Sequence, residues 1–277
     1  MNAAAAGTAG SAGAAGPAWA SGPVTGRAWC VLAPNPGPMT LDGTNTWVLL
    51  EPGAAEAVVL DPGPLDETHL QAVLETVEHL GAHVALTLLT HGHADHAGSA
   101  ARFGELTRAP VRRLGTGQDD LRGGQLLSVG GLELLVIATP GHTSDSLSFL
   151  VAAENALLTG DTILGRGTTV VAWPDGELAA YLDSLECIER LTGSGEVLRI
   201  LPGHGPQLRE AAGVVRHYRE HRAERLEQVR AAVASGATGP RAVVELVYAD
   251  VPREVWPAAE LSVRAQLDHL AAERPGS

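Results

Sequence analysis

From about residue 28 onward, short apolar runs alternate with turn residues along the chain. Runs of this length, bounded by Gly, Pro and Asp, are typical of β-strands that are buried in a core. They predict strands at residues 46–50, 57–60, 84–89, 132–138, 147–151, 156–158 and 197–201.

Helical spacing of apolar residues occurs between and after these runs. Apolar side chains at positions 70, 73, 74 and 77, with Asp66 placed to serve as an N-cap, predict a helix over residues 67–80. Two more helices are predicted over residues 178–191 and 207–233. Strands that precede, surround and follow helices indicate an α/β fold in which two sheets carry helices on their outer faces.

The two ends of the chain differ from this α/β part in composition. Residues 1–23 consist almost entirely of Ala, Gly, Ser and Pro, and we predict a disordered tail there; they also lack the basic start and compact apolar centre of a signal peptide. Residues 24–206 are predicted to form the main domain, and residues 207–236 a connecting helix. Residues 237–277 are predicted to form a small unit of short helices.

Composition narrows the class of protein. Of the 277 residues, 45 % are hydrophobic and 18 % are charged, which fits a globular protein rather than a disordered chain. No apolar run approaches the length of about 18 residues that a transmembrane helix needs, so no membrane span is expected. The net charge of −13 argues against a protein that coats nucleic acid by bulk charge. Cys30 and Cys187 have neither metal-ligand nor disulfide spacing, which predicts a cytoplasmic location.

The candidate chemistry begins with the sequence HGHADH at residues 91–96, directly after a predicted strand. His91 and His93 point the same way in an extended segment, because side chains repeat there every two residues. Asp95 and His96 are adjacent, and if they open a helix they point to a second place. One loop can therefore supply ligands to two metal ions.

Three more ligand-type residues follow predicted strands and have glycine neighbours, namely His142, Asp161 and His204. A rigid strand end can present such a side chain to a fixed point. We therefore predict two metal sites, the first with His91, His93 and His142, the second with Asp95, His96 and His204, and Asp161 as the bridge between them.

The donor set of imidazole nitrogens and carboxylate oxygens suits zinc, and iron or manganese would also accept it. Bound Zn²⁺ lowers the pKa of a bound water towards about 7. We therefore predict a binuclear hydrolase with two metal ions per chain and a metal-bound hydroxide as the nucleophile. Asp95 and Asp161 are the predicted catalytic carboxylates.

Two further residues are candidates for supporting roles. Asp61 ends a predicted strand and would orient a ligand histidine, although an Asp-Pro-Gly turn also explains its presence. Arg166 lies between two glycines in the loop after Asp161 and would reach an anionic group of the substrate, the alternative being an exposed loop arginine.

Together these residues resemble the metallo-β-lactamase superfamily. The HGHADH segment, followed in order by His142, Asp161 and His204, carries the resemblance, which covers about residues 28–206. It implies an αββα sandwich with a binuclear metal site at one edge. Zinc β-lactamases typically have a Cys in the second site and lack the bridging Asp. The chain is therefore more similar to the branches that hydrolyse thioesters, phosphodiesters or lactones.

A closer similarity is to the lactamase-β-like endoribonuclease group. It rests on the sequences NPGPMTLDGTNT at residues 35–46, GDTILG at 160–165, GT at 167–168 and WPAAE at 256–260. In that group the C-terminal segment is a small winged-helix-like domain, which the resemblance implies for residues 237–277.

The substrate stays open between three alternatives. The first is a phosphodiester, with single-stranded RNA as one candidate, and the second is a small thioester, lactone or ester. The third, of another class, is a non-catalytic winged-helix protein that binds nucleic acid. Arginines recur every three residues on the helix after the main domain, but glutamates between them favour a solvated face over a phosphate-binding one. The four are Arg216, Arg219, Arg222 and Arg225.

The charge of the C-terminal segment bears on partners. Residues 237–277 contain four Arg and six acidic residues. This small acidic excess predicts no specific DNA binding. We expect the segment to form a lid over the active site or the contact of a homodimer.

Overall fold

In the computed structural model, which describes residues 19–115 and 120–273, two β-sheets pack face to face and helices cover both outer faces. The strands are β1 (Gly22–Pro23), β2 (Ala28–Leu32), β3 (Asn45–Leu49), β4 (Glu56–Leu60), β5 (His83–Leu88), β6 (Val111–Arg112), β7 (Leu126–Val129), β8 (Leu132–Ala138), β9 (Leu147–Val151), β10 (Ala156–Gly160) and β11 (Arg199–Pro202). The helices are α1 (Glu67–His79), α2 (Ala94–Ala97), α3 (Ala100–Thr107), α4 (Leu178–Gly193), α5 (Ala211–Ala234), α6 (Gly239–Val247) and α7 (Trp256–Ala272).

The strand order is β1-β2-β3-β4-β5-β6 in the first sheet and β11-β10-β9-β8-β7 in the second. Both sheets mix antiparallel pairs with parallel ones; β4, β5 and β6 run parallel, as do β10 and β11. A parallel pair needs a crossover connection, and α1 and α4 supply it for β4–β5 and β10–β11. The predicted αββα sandwich is confirmed.

The central strands are apolar on both faces because each sheet lies between a second sheet and a layer of helices. On β3, Trp47 and Leu49 pack into the core between the sheets, while Val48 packs outward against α1 with Leu70 and Val73. Such double burial produces the near-continuous apolar runs of the sequence.

The predicted elements agree with the observed ones to within a few residues. The runs at 132–138 and 147–151 are strands over the predicted residues, and the other five runs differ by one or two residues at one or both ends. Helix α1 begins after Asp66, whose carboxylate accepts from the backbone N–H of His69 at 2.9 Å. Helix α5 begins four residues later than predicted, because Leu208 pairs with Ile200 of β11 before the helix starts.

The predicted tail extends too far into the chain. Residues 1–18 lie outside the described residues, but residues 19–23 belong to the fold. The indole of Trp19 packs against the core between the sheets and donates from Nε1 to Asn45 Oδ1 at 2.8 Å, and β1 pairs with β2. The composition of residues 1–23 is that of a disordered segment. The large apolar ring of Trp19 nevertheless allows the last part of this segment to pack against the core.

The C-terminal segment forms a helical unit, as its apolar positions predict. Helices α6 and α7 bury Val243, Val244, Trp256 and Val263 against the second half of α5, and residues 237–273 contain no strand. Helix α7 is tied to the main domain by Ser262 Oγ, which accepts from the backbone N–H of residue 171 at 3.2 Å. Across the described ranges, no helix combines the length and apolar composition that crossing a bilayer requires.

Candidate metal centre

Four strands deliver the predicted ligands to one edge of the sandwich. Residues 91–96 follow β5, and His142, Asp161 and His204 follow β8, β10 and β11. The segments after these strands can approach one another closely because glycines lie where a side chain would collide with a neighbouring segment. A Cβ at Gly160 would lie 2.7 Å from Thr90 Cβ, and one at Gly203 would lie 2.6 Å from Asp161 Oδ1. The glycine neighbours noted in the sequence therefore make room for the ligands.

The structure brings together the first predicted site. His93 Nδ1 lies 3.1 Å from His91 Nε2 and 3.1 Å from His142 Nε2. His91 and His142 are buried, and His93 is partly buried. The three ring nitrogens face one another at one point.

The second predicted site forms beside the first. His96 Nε2 and His204 Nε2 are 3.1 Å apart, and both rings are fully buried. Asp95 Oδ2 lies 3.2 Å from the His204 nitrogen and 3.5 Å from the His96 nitrogen. Asp95 is the most exposed carboxylate of the centre, with 29 % of its side chain accessible.

Asp161 lies between the two groups. Its Oδ2 is 3.7 Å from His142 Nε2 of the first group and 3.4 Å from His204 Nε2 of the second. Its Oδ1 is 3.3 Å from His96 Nε2 and has no hydrogen-bond partner within residues 19–115 and 120–273. This placement is the one that a bridging carboxylate requires.

Hydrogen bonds behind the rings fix which nitrogen faces the centre. Nδ1 of His142 lies 2.6 Å from the carbonyl of residue 170, and Nδ1 of His204 lies 3.2 Å from that of Gly43. Nδ1 of His96 faces Asp61 Oδ2 at 2.9 Å. A carbonyl or carboxylate accepts only, so each Nδ1 carries a proton, and in the neutral form of each ring the Nε2 presents a lone pair.

His91 is held in the same way by a residue that the sequence analysis missed. Thr90 Oγ1 donates to Asp61 Oδ2 at 2.7 Å, so it is left to accept from His91 Nδ1 at 3.0 Å. Nothing in the sequence marks this threonine except its position between a strand and the first histidine.

The arrangement of these nitrogens suits the binding of a divalent cation better than direct contact between the rings. When the rings are neutral, lone pairs that face each other at 3.1 Å repel unless a proton or a metal ion lies between them. A tetrahedral ion with metal–nitrogen bonds of about 2.0–2.1 Å separates its ligand atoms by about 3.3 Å. The ligand atoms of each of the three groupings of candidate ligands lie within 4.8 Å of one another. The residues present therefore fit a metal ion.

Burial and neighbouring charges shift the pKa values of the centre in both directions. Burial lowers the pKa of His91 well below its usual range and also lowers that of His142. At His204 burial acts in the same direction, but the carboxylates, Asp161 above all, outweigh it and raise the pKa to about 9. The pKa of Asp161 is held well below its usual range, because His204 and His96 outweigh its burial. Protons and a metal ion compete for the nitrogens beside this carboxylate.

Asp61 has the predicted orienting position. Besides facing His96, its carboxylate accepts from the backbone N–H of Thr90 at 2.7 Å, and the residue itself is left-handed with φ +53°. One buried carboxylate thus orients two ligand histidines, directly in one case and through a hydroxyl in the other.

We expect Asp61→Asn to weaken metal binding about 10- to 100-fold, because it removes the charge behind His96. Asn adopts left-handed backbone readily, so the turn is kept. Metal affinity is measured by competition with a chromophoric chelator. Asp183→Asn, at an exposed position of α4, is the matched control. Unchanged affinity in Asp61→Asn would mean that the residue serves the turn alone.

Arg166 lies in the cavity wall beside the centre, but its charge is neutralised within the protein. Its Nη1 contacts Asp42 Oδ2 at 2.5 Å, and about half of its side chain is exposed. The Asp42 carboxylate raises the pKa of the guanidinium further, so the pair is fully ionised. An anionic substrate group would have to displace Asp42 to use this arginine.

A cavity of about 300 Å³ adjoins the centre, and His142 and Asp161 form part of its wall. Most of the remaining wall is apolar and comes partly from the main domain and partly from the C-terminal unit. The apolar residues include Met39, Leu41, Leu164, Val170, Val251 and Val255. The C-terminal unit therefore completes a cavity that the main domain alone would leave open.

Two family models match the chain. Residues 39–116 and 114–204 match the model described as metallo-beta-lactamase superfamily, and residues 240–274 match the model described as beta-lactamase associated winged helix domain. The first matches include all four strands that end at the centre, and the second includes α7 and most of α6.

Similar proteins and structures are known from several organisms. The beta-lactamase-like protein 2 homolog of Caenorhabditis elegans is 33 % identical over 255 residues, 88 % of this chain and 83 % of that protein. The atrochrysone carboxyl ACP thioesterase of Aspergillus chevalieri is 30 % identical over 266 residues, 91 % of this chain and 83 % of that protein. The crystal structure of a metallo-beta-lactamase family protein from Thermus thermophilus is similar in fold, with a TM-score of 0.74 at 22 % identity over 89 % of this chain and 93 % of that one.

Proposed function

The chain belongs to the metallo-beta-lactamase superfamily and is a hydrolase of that superfamily, and from this premise we propose that it hydrolyses an acyl thioester. The observation that carries the proposal is the largely apolar cavity that shares His142 and Asp161 with the metal centre. A cavity of this kind suits an acyl chain, because it desolvates apolar carbon beside the reacting carbonyl. The relative from Aspergillus chevalieri, named a thioesterase, supports the same class of substrate.

We further propose that two zinc ions bind per chain, since the superfamily fold implies divalent metal and the residues present offer two groups of ligands. The first ion would be held by His91, His93 and His142, and the second by Asp95, His96 and His204, with Asp161 shared. When bound, such ions polarise a carbonyl oxygen and lower the pKa of water.

In this proposal the protein's own groups supply orientation and a proton acceptor. The cavity wall holds the acyl chain, and water attacks the carbonyl carbon, forming a C–O bond as the C–S bond breaks and the thiolate leaves. Burial raises the pKa of Asp95, but His204 and His96 outweigh it, so the carboxylate is ionised at neutral pH and can accept a proton from the attacking water. The most exposed carboxylate of the centre can then pass that proton to solvent.

The phosphodiester alternative stays a prediction, and one observation favours it. Two arginines, Arg222 and Arg225, line the cavity. The apolar remainder of the wall and the net charge of −13 favour the acyl thioester over an RNA strand, whose backbone needs a row of cations.

A direct comparison of substrates tests the proposal. We expect the zinc-loaded enzyme to hydrolyse butanoyl and octanoyl thioesters of N-acetylcysteamine with a kcat/KM at least about 100-fold above that for bis(p-nitrophenyl) phosphate or a single-stranded RNA oligonucleotide. Thiol release is measured with a thiol reagent, and RNA cleavage by gel. Preference for the phosphodiesters would overturn the thioesterase proposal. The His91→Ala variant shows whether a contaminant is responsible for either activity.

A further inference from the structure

The cavity wall contains an arginine whose charge is buried without an acidic partner. Only 6 % of Arg222 is exposed. Its Nη2 donates to the carbonyl of Thr169, its guanidinium lies 5.0 Å from the Tyr181 ring centre, and its Nε has no hydrogen-bond partner. No Asp or Glu of residues 19–115 and 120–273 forms an ion pair with it. A buried, unpaired cation is costly, so its presence calls for a counter-charge.

A second arginine of the same helix lines the cavity and also lacks an acidic partner among the residues that the structure describes. Arg225 Nη1 donates to the carbonyl of residue 247 at 2.8 Å and to Gln228 Oε1 at 2.9 Å, and its guanidinium lies 4.7 Å from the Tyr248 ring centre. These contacts fix its position without neutralising its charge.

Two other arginines of α5 have the carboxylate partners that Arg222 and Arg225 lack. Arg219 is paired with Glu189, and Arg230 is paired with Glu227 and Glu273. These two lie away from the cavity and have carboxylate partners, whereas the two that line it have none among the described residues. The cavity therefore holds two fixed positive charges that the described part of the protein leaves uncompensated.

His221 lies in the same part of the cavity wall, and its pKa responds to the positive charge of the two arginines. Burial lowers its pKa to about 4, and Arg222 and Arg225 add to the effect. The ring is therefore neutral at pH 7, and its Nδ1 is buried without a hydrogen-bond partner in the part of the chain that the structure describes. A ligand that accepts from both arginines can also use this nitrogen.

We propose that Arg222 and Arg225, together with His221, form a subsite that binds an anionic oxygen group of the substrate, a carboxylate or a phosphate. Thr169 links this subsite to the metal centre, because its carbonyl accepts from Arg222 and its hydroxyl lies 3.2 Å from His142 Nδ1. The inference rests on the proposed thioesterase function and narrows it to thioesters that carry an acidic group on the acyl chain or on the thiol. Guanidinium groups bind both kinds of anion by charge-assisted hydrogen bonds.

Arg225→Gln tests the subsite, and Arg216→Gln is its matched control. Arg225 is chosen because Arg222 is buried and also holds the Thr169 loop. Arg216 is an exposed residue of the same helix that does not line the cavity. Both variants remove one positive charge from α5, so their difference isolates the position in the cavity.

Three thioesters of the same chain length separate the two sources of anion. Butanoyl-N-acetylcysteamine is neutral, and succinyl-N-acetylcysteamine carries a carboxylate on the acyl group. Butanoyl-phosphopantetheine carries a phosphate at the end of the thiol component that is remote from the sulfur. We expect one of the charged substrates to exceed the neutral one in kcat/KM by about tenfold or more. Arg225→Gln should abolish that preference by lowering kcat/KM about tenfold more for the charged substrate than for the neutral one, and Arg216→Gln should keep the preference. An equal loss for charged and neutral substrates, or no preference in the native enzyme, would overturn the subsite.

A binding measurement keeps this test separate from the proposed function. Calorimetric titration of the zinc-loaded protein with glutarate and with inorganic phosphate needs no turnover. Because the metal centre is the same in both variants, we expect Arg225→Gln to raise the Kd of one anion about tenfold relative to Arg216→Gln. If the two variants have the same Kd for glutarate and also the same Kd for phosphate, the subsite is refuted even if thioesters are hydrolysed. A difference in Kd without thioester hydrolysis would retain the subsite and refute only the thioesterase.

Discussion

Replacing Asp161 by alanine should remove metal from both halves of the centre and lower kcat/KM at least about 1,000-fold. The carboxylate lies within 3.7 Å of ligand nitrogens of His142, His96 and His204, so its loss affects both ligand groups. It is also the negative charge that opposes the positive charge gathered at this buried edge. The bound metal is counted by elemental analysis of protein purified without chelators, with two ions per chain expected in the native enzyme.

His204→Ala is the informative comparison, because it removes a ligand of the second group alone. The nitrogens of His91, His93 and His142 face one another, and the hydrogen bonds behind the His91 and His142 rings involve residues other than His204. We expect this variant to retain about one ion per chain, while Asp161→Ala retains clearly less. Asp161→Asn, which keeps the shape and removes the charge, shows whether any loss comes from a packing defect. Equal metal retention in His204→Ala and Asp161→Ala would contradict the bridge.

The clustering of the candidate ligands could be predicted from the sequence because its signals are local. Each ligand follows an apolar run directly, and the ends of neighbouring strands meet at one edge of a sheet, so a linear pattern translates into a cluster. The glycines beside the ligands gave a second local signal, and at Gly160 and Gly203 the structure shows the close approach that explains them.

The groups that hold the ligands could not be predicted, because they act through the backbone or through tertiary contacts. The carbonyls of Gly43 and residue 170 fix two histidines, yet a carbonyl is present in every residue and leaves no mark in a sequence. Thr90 bonds both Asp61 and His91, which are 29 positions and one position away from it. Only the folded chain shows that these three form one unit.

The arginines of α5 illustrate the same limit. Their spacing of three residues and the glutamates between them make Arg216, Arg219, Arg222 and Arg225 look equivalent. Packing separates them, because the helix turns one face to the cavity and another towards α4 and the solvent. The local pattern correctly favoured a solvated face for part of the helix and missed the two residues that are turned inward.

Filling the cavity should raise KM for acyl substrates without changing the metal content. Ala258 lines the cavity on α7, is half-buried, and is not part of the apolar cluster that joins α7 to α5. A phenylalanine there occupies part of the 300 Å³ space. We expect Ala258→Phe to raise KM for the octanoyl thioester about tenfold or more, since one methylene of misfit in an apolar pocket already costs about 1–3 kcal/mol.

The position of the substitution makes this test sharper than removal of the C-terminal unit. Deleting residues 237–277 would expose Val229 and Ala232, which the unit buries on α5, so a rise in KM could reflect damage to the fold. Ala271→Phe, at an exposed position of the same helix, makes the same chemical change away from the cavity. KM is measured for butanoyl and octanoyl thioesters, with metal content and melting temperature in parallel. If Ala258→Phe and Ala271→Phe share the native KM for both chain lengths, the C-terminal helices do not contact the substrate, and their role is confined to packing on α5.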